Sequence, residues 1–260
     1  MKKKITLSEL AKLCGCSSAT VSYVLNGRED QRISEATKEK ILQMANLYQY
    51  NINSYAQALA TGTTNTILLF YEDNDFSFAK ADTLCFINDL SLFLDKNNLK
   101  LIIAPNTEIK RYSNVDAIIT YRVSIDTFNK LSTINYSPII AIDTLVTDSL
   151  FYCINNDYDF LSDSKDIKYA AIPFGDEELN TYLKNKFNID FISSFSDLMK
   201  LINSNYDNIV TFSHELSLVL KFTGKNVKYL NLNTSSKFNE IVEAIHHAIN
   251  HDETNHKIKI

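Results

Sequence analysis

Two cysteines stand two positions apart in the segment 14–27, which reads CGCSSATVSYVLNG. Neighbouring thiols can form a redox pair or hold zinc, and both kinds of site require defined spacings. The sequence contains no C-x-x-C pair and no cysteine–histidine cluster at zinc spacing; its four cysteines are Cys14, Cys16, Cys85 and Cys153. We therefore expect reduced thiols, no bound metal and no cofactor. The role of Cys14 and Cys16 then depends on the helices that carry them.

A first helix is predicted from about Leu7, because Thr6 and Glu9 have the spacing of a capping box. The apolar residues that follow have the i, i+3, i+4, i+7 spacing of one helix face: Leu7, Leu10, Ala11 and Cys14. Cys14 is therefore predicted to be a small core residue. Gly15 comes where a chain leaving a helix needs a left-handed residue, which predicts a sharp turn.

A second helix is predicted to begin after Ser17, a good N-cap, and to run to about Leu25. Cys16 and Val21 have the spacing of a hydrophobic staple, so Cys16 also has a packing role. The inward side chains are Val21, Val24 and Leu25, and the opposite face presents Ser18, Ala19, Ser22, Tyr23 and Asn26. Ser34 is predicted to cap a third helix, whose core residues are Ile41, Met44, Ala45 and Tyr48.

Two short helices joined by a tight glycine turn, with a third packed across them, predict a helix-turn-helix unit. Small and hydroxylated residues at the exposed start of its second helix can enter a DNA major groove about 12 Å wide. Residues 1–62 carry eight Lys/Arg and five Asp/Glu, a net charge of +3, whereas the remainder carries 18 and 26, a net charge of −8. A basic head on an acidic body indicates that the head meets a polyanion. The alternative is a small helical bundle with a merely polar surface.

Beyond residue 63, apolar runs typical of strands alternate with helical stretches, which predicts parallel sheets flanked by helices. The predicted strands are 66–71, 99–104, 115–120, 138–143, 168–173, 208–212 and 227–232. Helices are predicted between most of them, for example at 79–97, 176–187 and 238–250.

About 60 residues, from ITLSELAKLCGCSSATVSYVLNG through ISEATKEKI to AQALATG, resemble the DNA-binding head and hinge of the LacI/GalR transcriptional regulators. The resemblance implies an α/β protein: a three-helix helix-turn-helix domain with a hinge helix, then a two-lobed parallel α/β core like the periplasmic binding proteins. The implied domains are 1–50 for DNA binding, 51–63 for the hinge and 64–260 for effector binding and dimerisation. It also implies a regulator, expected to be a repressor, that binds a pseudo-palindromic double-stranded operator as a homodimer.

The resemblance also assigns positions on DNA. Three residues stand where the family reads base edges: Ser18, Ala19 and Tyr23. Six others stand where it holds phosphates: Thr6, Ser17, Thr20, Ser22, Asn26 and Ser34. The remaining expected DNA contacts are Leu7, Arg32 and the hinge residues Asn53, Ala56, Gln57 and Leu59. Phosphate contacts set register, whereas base contacts set sequence preference.

Leu59 matches the leucine that wedges into the minor groove at the centre of the operator. Such a wedge unstacks a base step and bends the duplex. Two departures from the family matter here. Tyr23 stands where many members have arginine, so a bidentate guanine contact is absent and base preference should differ. Ile52 replaces a common proline, so the hinge entrance is expected to be less rigid.

The body departs further from the family, and the departures concentrate on its cleft. Residues that match or lie near the family's effector site are Phe76, Phe78, Asn155, Asp157 and His214. Asp143 is added because it ends a predicted strand, where ligands of open α/β sheets bind. The rings of Phe76 and Phe78 are placed to stack on a ligand, and ordinary core packing is the alternative. His214 occupies what is often an aspartate that holds sugar hydroxyls, and no clear arginine follows AAIPFG at 170–175. The expected effector is a sugar, a sugar phosphate or a nucleobase. The alternative is a body that binds no small molecule and serves as a dimerisation or protein-docking module.

Other classes of protein are disfavoured by the sequence. It contains no G-x-S-x-G, no P-loop and no paired carboxylates with a nearby base, so we expect no enzyme. No apolar run approaches the roughly 18 residues of a membrane span, and the basic start leads directly into a capped helix. A soluble cytoplasmic protein with no membrane partner is expected.

Overall fold

The computed structural model describes residues 5–28, 31–48, 50, 62–105, 108–161 and 166–260. The chain divides into two compact units, residues 1–64 and 65–260. The predicted hinge contacts Asn53, Ala56, Gln57 and Leu59 lie outside the described residues.

The described residues of the first unit form three helices: α1 (Leu7–Cys14), α2 (Ser18–Leu25) and α3 (Glu35–Leu47). Leu10, Val21 and Ile41 supply one fully buried residue from each helix. Cys14 is buried with them and Cys16 packs at the edge, which confirms that both thiols belong to the scaffold. Burial also raises the pKa of the Cys14 thiol, so it stays protonated and unreactive.

The prediction that Tyr48 lies in the head core is wrong. Tyr48 caps the C-terminus of α3, and its side chain is exposed. Tyr50 packs against the core instead. The helical period does not extend past Leu47, so positions beyond it no longer follow the inward face.

Strands and helices alternate in the second unit. The strands are β1 (Thr66–Tyr71), β2 (Lys100–Pro105), β3 (Ala117–Tyr121), β4 (Ile139–Ile142), β5 (Tyr152–Asn155), β6 (Ile167–Ala171), β7 (Ile189–Phe191), β8 (Asn208–Thr211), β9 (Asn226–Tyr229) and β10 (Lys257–Lys259). The helices are α4 (Ser77–Lys96), α5 (Ile125–Ile134), α6 (Glu177–Lys186), α7 (Phe195–Ile202), α8 (His214–Lys221) and α9 (Ser235–Asn250). All seven predicted strands are present, with shifts at their ends.

The strands form two parallel sheets, and each sheet is the centre of one lobe. The first lobe has the order β10-β5-β4-β3-β1-β2, and the second has β7-β6-β8-β9. Helix α9 follows β9 but packs against the first sheet, where Phe238, Ile241 and Ile245 are fully buried. The chain therefore crosses between lobes more than once. Parallel strands end at one edge of a sheet, and ligands of open α/β sheets bind beyond that edge.

No helix in the described ranges is both long enough and apolar enough to cross a membrane. The described residues also contain no group of three or more His, Cys, Asp or Glu arranged to hold a metal ion.

Candidate functional site

Three hydroxyl side chains cap the three helices of the head. The Thr6 hydroxyl accepts from the Glu9 amide at 3.2 Å, and the Glu9 carboxylate accepts from the Thr6 amide at 2.8 Å, which completes the capping box. Ser17 accepts from the Thr20 amide at 3.0 Å. Ser34 accepts from the Thr37 amide at 3.3 Å. Each cap lies at a helix N-terminus, where backbone N–H groups and the helix dipole favour an anion.

The turn between α1 and α2 is set by Gly15, whose φ of 70° lies in the left-handed region. Its amide donates to Lys12 at 3.2 Å and the Cys16 amide donates to Ala11 at 3.1 Å, which closes α1. The chain can then start α2 at Ser18 with Val21 buried against α1 and α3.

The outward side of α2 carries the residues that were predicted to read DNA. Ser17, Ala19 and Asn26 are exposed, while Ser18, Thr20, Ser22 and Tyr23 are partly exposed. Thr6, Arg32 and Ser34 are also exposed, and Leu7 is partly buried against the head core. These positions form a polar surface at and around one short helix.

Sequence reasoning did not single out Arg28. Its guanidinium lies 5.8 Å from the centre of the Tyr23 ring, within cation–π range. A cation therefore accompanies Tyr23, although Tyr23 itself has no charge. Arg28 directly follows Gly27 beyond the end of α2, so the helical period of α2 could not place it.

The second candidate site lies where the strands of the first lobe end. Asp143 follows β4 in a left-handed conformation, with φ of 54°, and its side chain is 1% exposed. Its carboxylate accepts from the Lys237 ammonium at 2.7 Å and from the Asn156 amide at 3.0 Å. Burial lowers the pKa of Lys237, and the Asp143 carboxylate opposes that shift. Asp143 is therefore half of a fully buried ion pair.

Arg122 directly follows β3, the strand beside β4 in the sheet. It was not predicted from the sequence. Its Nε lies 3.6 Å from Asp143 Oδ2, and its Nη1 lies 3.8 Å from Asp82 Oδ2. Burial alone lowers the pKa of Arg122, but Tyr121, Asp143 and Asp82 raise it more, so the guanidinium stays charged. The rule that singled out Asp143, a polar residue at a strand's carboxyl end, applies equally to Arg122 after AIITY.

Three hydrogen bonds join the two lobes around this cluster. The Gly175 amide donates to the Arg122 carbonyl at 3.1 Å. The Ser213 hydroxyl donates to Asp82 Oδ1 at 2.8 Å, and the Leu145 amide donates to Asp176 Oδ2 at 2.6 Å. A Cβ on Gly175 would lie only 2.2 Å from the Arg122 carbonyl oxygen, so a side chain there would force the lobes apart.

The structure does not gather the six predicted effector residues around one cavity. Phe76 is buried in the second lobe's core, with ring centroids 5.2 Å from Phe78 and 5.5 Å from Phe195. Asn155 donates to the Thr144 carbonyl at 3.3 Å, and Asp157 accepts from the Asp159 amide at 3.0 Å. The two phenylalanines thus pack as ordinary core residues, which was the alternative to ring stacking on a ligand.

His214 lines a small cavity of about 170 Å³ between the lobes, together with Asp82, Arg122 and Asn233. A larger cavity of about 440 Å³ lies beside the crossovers and is lined by Asn155, Asp157 and residues of α6. Typical small-molecule sites occupy about 300–1,000 Å³. The cavity that contains the cleft charges is therefore smaller than a typical small-molecule site in this conformation.

The model of bacterial regulatory proteins of the lacI family matches residues 6–53, which include all three head helices. Residues 6–53 are therefore similar to the lacI family of bacterial regulatory proteins. The family match begins at the Thr6 cap and contains the Gly15 turn and the whole of α2. It ends inside the predicted hinge.

Curated relatives extend the similarity into the body. The sucrose operon repressor of Klebsiella pneumoniae is 28% identical over 164 residues, which are 60% of this chain and 48% of that protein. The fructose operon regulatory protein of Vibrio cholerae serotype O1 is 28% identical over 172 residues, which are 58% of this chain and 49% of that protein. The chain spans about half the length of these two relatives. The regulator pepR1 of Lactobacillus delbrueckii subsp. lactis is 25% identical over 246 residues, 87% of this chain and 71% of that protein.

Among solved structures, the lac repressor bound to ONPG aligns with a TM-score of 0.59 at 13% identity, over 99% of this chain and 97% of that chain. The lac repressor dimer bound to operator and an anti-inducer aligns with a TM-score of 0.57. At this identity the likeness shows the fold alone. The fold is the expected one, a helix-turn-helix head followed by a two-lobed parallel α/β core.

Proposed function

We propose that this chain is a sequence-specific DNA-binding transcriptional regulator, acting as a repressor on a pseudo-palindromic operator. The observation that carries the proposal is the lacI-family head, with three capped helices and a polar face on α2. Two of its relatives are named as regulators of the sucrose and fructose operons, which supports control of sugar-related genes.

In this proposal Ser18, Ala19 and Tyr23 read base edges in the major groove. The phosphate contacts come from Thr6, Ser17, Thr20, Ser22, Asn26 and Ser34, and further contacts from Leu7 and Arg32. The helix N-termini at Ser17 and Ser34 suit phosphate binding, because they present backbone N–H groups to an anion.

We propose that the protein acts as a homodimer through an apolar face of its body. In this proposal the apolar face is formed by exposed side chains on α4, β2, α7 and α8: Leu84, Leu92, Ile102, Ile103, Phe195, Met199, Leu218 and Phe222. Helix α4 packs against both β2 and α8, and Phe195 of α7 contacts Phe76 and Phe78 beside α4, so these elements are neighbours. Large exposed apolar patches mark interaction surfaces. The lac repressor with the same fold was solved as a dimer on operator.

Control by a small molecule in the cleft is part of the proposal, with a sugar, a sugar phosphate or a nucleobase as the effector. The regulator CelR, of related fold at a TM-score of 0.50, was solved with cellobiose. The second candidate is a body that binds no small molecule and serves only in dimerisation or protein docking. The specific observation that favours it is the Arg122 side chain, which fills the cleft with Asp82 and Asp143.

An enzyme is not proposed, because the relatives are named as transcriptional regulators and the buried charges of the cleft are paired with one another. A protein that acts on DNA in a bacterial cell works in the cytoplasm, and this is the location we propose. Neither the sites nor the partners call for a membrane.

Two experiments test the proposal. Selection of binding sites from a random duplex pool should return a two-fold symmetric sequence. The logarithm of the binding constant should fall by about 0.9 per neutralised phosphate for each tenfold rise in salt concentration. A single unpaired half-site bound by a monomer would contradict it. Thermal melts against sugars, sugar phosphates and nucleobases separate the two candidates, because a bound effector raises the melting temperature.

A further inference from the structure

The Arg122 side chain lies at the contact between the lobes and is only 13% exposed. Two carboxylates of the first lobe, Asp82 and Asp143, flank its guanidinium. The centre of the guanidinium lies 4.6 Å from the Phe174 ring, which belongs to the second lobe. A cation held over an aromatic face and away from water is a stabilising contact. Arg122 therefore binds both lobes through one side chain.

The backbone makes the same connection. Arg122 has φ of 50°, in the left-handed region, and its carbonyl accepts from the Gly175 amide one residue after Phe174. Asp82, which faces the Arg122 guanidinium, also accepts from Ser213 of the second lobe. The side chain, its partner and its own carbonyl thus all reach across the cleft.

The charges of this cluster are balanced without a ligand. Arg122 and Lys237 supply two cations, and Asp82 and Asp143 supply two carboxylates. The hydrogen bonding of the cluster is incomplete, although its charges balance. Arg122 Nε and Asp143 Oδ2 are among the buried atoms of the described residues that lack a hydrogen-bond partner. These two atoms face each other at 3.6 Å, slightly too far for a hydrogen bond.

We propose that Arg122 is a built-in ligand of the cleft, which holds the two lobes closed through Asp82, Asp143 and Phe174 when no effector is bound. The guanidinium occupies the space beyond the strand ends and leaves a cavity of about 170 Å³ beside it. An effector enters this cleft only by displacing the Arg122 side chain. The closed arrangement of the lobes is therefore the resting state of this body, and closure does not require a bound effector.

Amide exchange in the full-length protein tests this directly, because two amides bond across the cleft. Gly175 donates to Arg122, and Leu145 donates to Asp176. In Arg122→Ala both amides should exchange on the order of tenfold faster, as expected for loss of a buried cation–π contact and its ion pairs. Within the lobes, the Ile118 amide on Pro138 and the Ile192 amide on Ala171 should change little.

Guanidinium ion should refill the space left in Arg122→Ala. At millimolar concentration, far below denaturing levels, it should restore slow exchange at Gly175 and Leu145, whereas sodium chloride of the same ionic strength should not. The matched control is Arg111→Ala, since Arg111 also stacks on an aromatic ring, 4.2 Å from Tyr136, but is exposed outside the cleft. Arg111→Ala should leave the two amides unchanged.

Phe174→Leu is the second variant, in case Arg122→Ala does not fold. It removes the ring face but keeps an apolar side chain and the Arg122 charge, and the same two amides should exchange faster. Unchanged exchange at Gly175 and Leu145 in the variants would overturn the proposal. An equal increase at Ile118 and Ile192, or no recovery with guanidinium, would also overturn it, because Arg122 would then be a general support of the fold.

Discussion

Tyr23 is the residue that most separates this head from the family pattern. Its side chain lies on the partly exposed face of α2, with the Arg28 guanidinium beside it. A phenol can donate one hydrogen bond and contact a thymine methyl, but it cannot bind guanine through two donors as arginine does. Base preference at the position that Tyr23 is proposed to read should therefore differ from that of a protein with arginine there.

The first prediction concerns this position. Tyr23→Arg should shift preference at one base pair of each half-site towards guanine, by about 1–3 kcal/mol. Thr20→Ala should instead weaken all sequences alike, because a phosphate contact carries no sequence information. The measurement is competitive binding to operator variants substituted at single positions. Tyr48→Arg adds the same charge at an exposed tyrosine outside α2 and serves as control; an unchanged preference in Tyr23→Arg would show that Tyr23 is not a base-reading residue.

A second prediction at the residue scale follows from Asp82. Burial raises the pKa of its carboxyl group, while Arg122 and the Ser213 hydroxyl oppose the shift. Because the pKa is higher in the folded than in the unfolded state, the folded state binds more protons between the two values. The free energy of unfolding should therefore fall as pH rises through this window, which begins near the ordinary aspartate value of 3.8.

Asp82→Asn should remove this contribution to the pH dependence while keeping an oxygen that accepts from Ser213. Urea unfolding at a series of pH values from acid to neutral measures it. Asp95→Asn provides the control, since Asp95 is an exposed carboxylate on the same helix. Identical pH slopes in wild type and Asp82→Asn would mean that Asp82 does not carry the linkage.

At the scale of elements, the head helices show how one residue can serve both fold and function. Ser17 satisfies an amide of α2 and also stands at a helix N-terminus that is expected to face phosphate. Loss of DNA binding in Ser17→Ala would not distinguish the two roles. Aspartate at this position does, because it is as good an N-cap as serine but carries a negative charge.

We therefore predict opposite stability effects but a shared loss of binding. Ser17→Ala should destabilise the head by about 1 kcal/mol. Ser17→Asp should keep or slightly raise its stability, yet weaken binding to every DNA sequence through repulsion from phosphate. Thermal melts and gel shifts on both variants provide the comparison. Undiminished DNA binding by Ser17→Asp would place Ser17 away from the backbone.

The elements that sequence reasoning recovered are those with strong local signals. Helix α1 has a capping box and a regular apolar stripe, and β1 is a continuous apolar run, so both were placed within a residue or two. Three strands were missed because they are too short to show a period: β5 has four residues, and β7 and β10 have three each. Pairing with β4, β6 and β5, respectively, defines these strands, and pairing partners are not visible locally.

The candidate sites divide in the same way. The exposed face of α2 follows from its helical period, which a sequence displays directly, whereas the individual DNA contacts were assigned from the family resemblance. The cleft depends on which strand ends and loops meet, as Arg122 with Asp82 and Phe174 does across long separations in sequence. Phe76 shows the same difficulty. It precedes a helix of the first lobe but is buried in the core of the second lobe, and its neighbours in the sequence do not indicate this.

For the whole molecule, the proposed two-fold symmetric operator requires two heads, and the apolar face of the body is the surface proposed to pair them. Phe222 is its most exposed member, at 92%, so its substitution should not disturb the monomer's core. Phe222→Lys should raise the dimer dissociation constant by roughly 30-fold or more, the effect of losing about 2 kcal/mol at an interface hot spot. Analytical ultracentrifugation measures it.

The matched control is Leu150→Lys. Leu150 is 77% exposed, but it lies outside the apolar face. It precedes β5, which is near the edge of the first sheet opposite to β2. The control variant should remain dimeric and bind a palindromic duplex as wild type does. Phe222→Lys should bind the palindrome hardly better than a single half-site. An unaltered dimer in Phe222→Lys would place the interface elsewhere.

The last prediction concerns Leu59, which links the body to the head and lies outside the described residues. If the specific complex is a bent duplex with leucines inserted at its centre, then Leu59→Ala removes the side chain that holds the opened base step. Unstacking a step costs a few kcal/mol, so affinity for the operator should fall by a comparable amount and DNA bending should fall with it. Non-specific binding, which rests on phosphate contacts, should stay nearly unchanged. Gel-shift and bending assays on one operator compare Leu59→Ala with Leu42→Ala, which truncates an exposed leucine of α3. Equal affinity and equal bending in wild type and Leu59→Ala would leave a helix-turn-helix dimer that binds without a wedge.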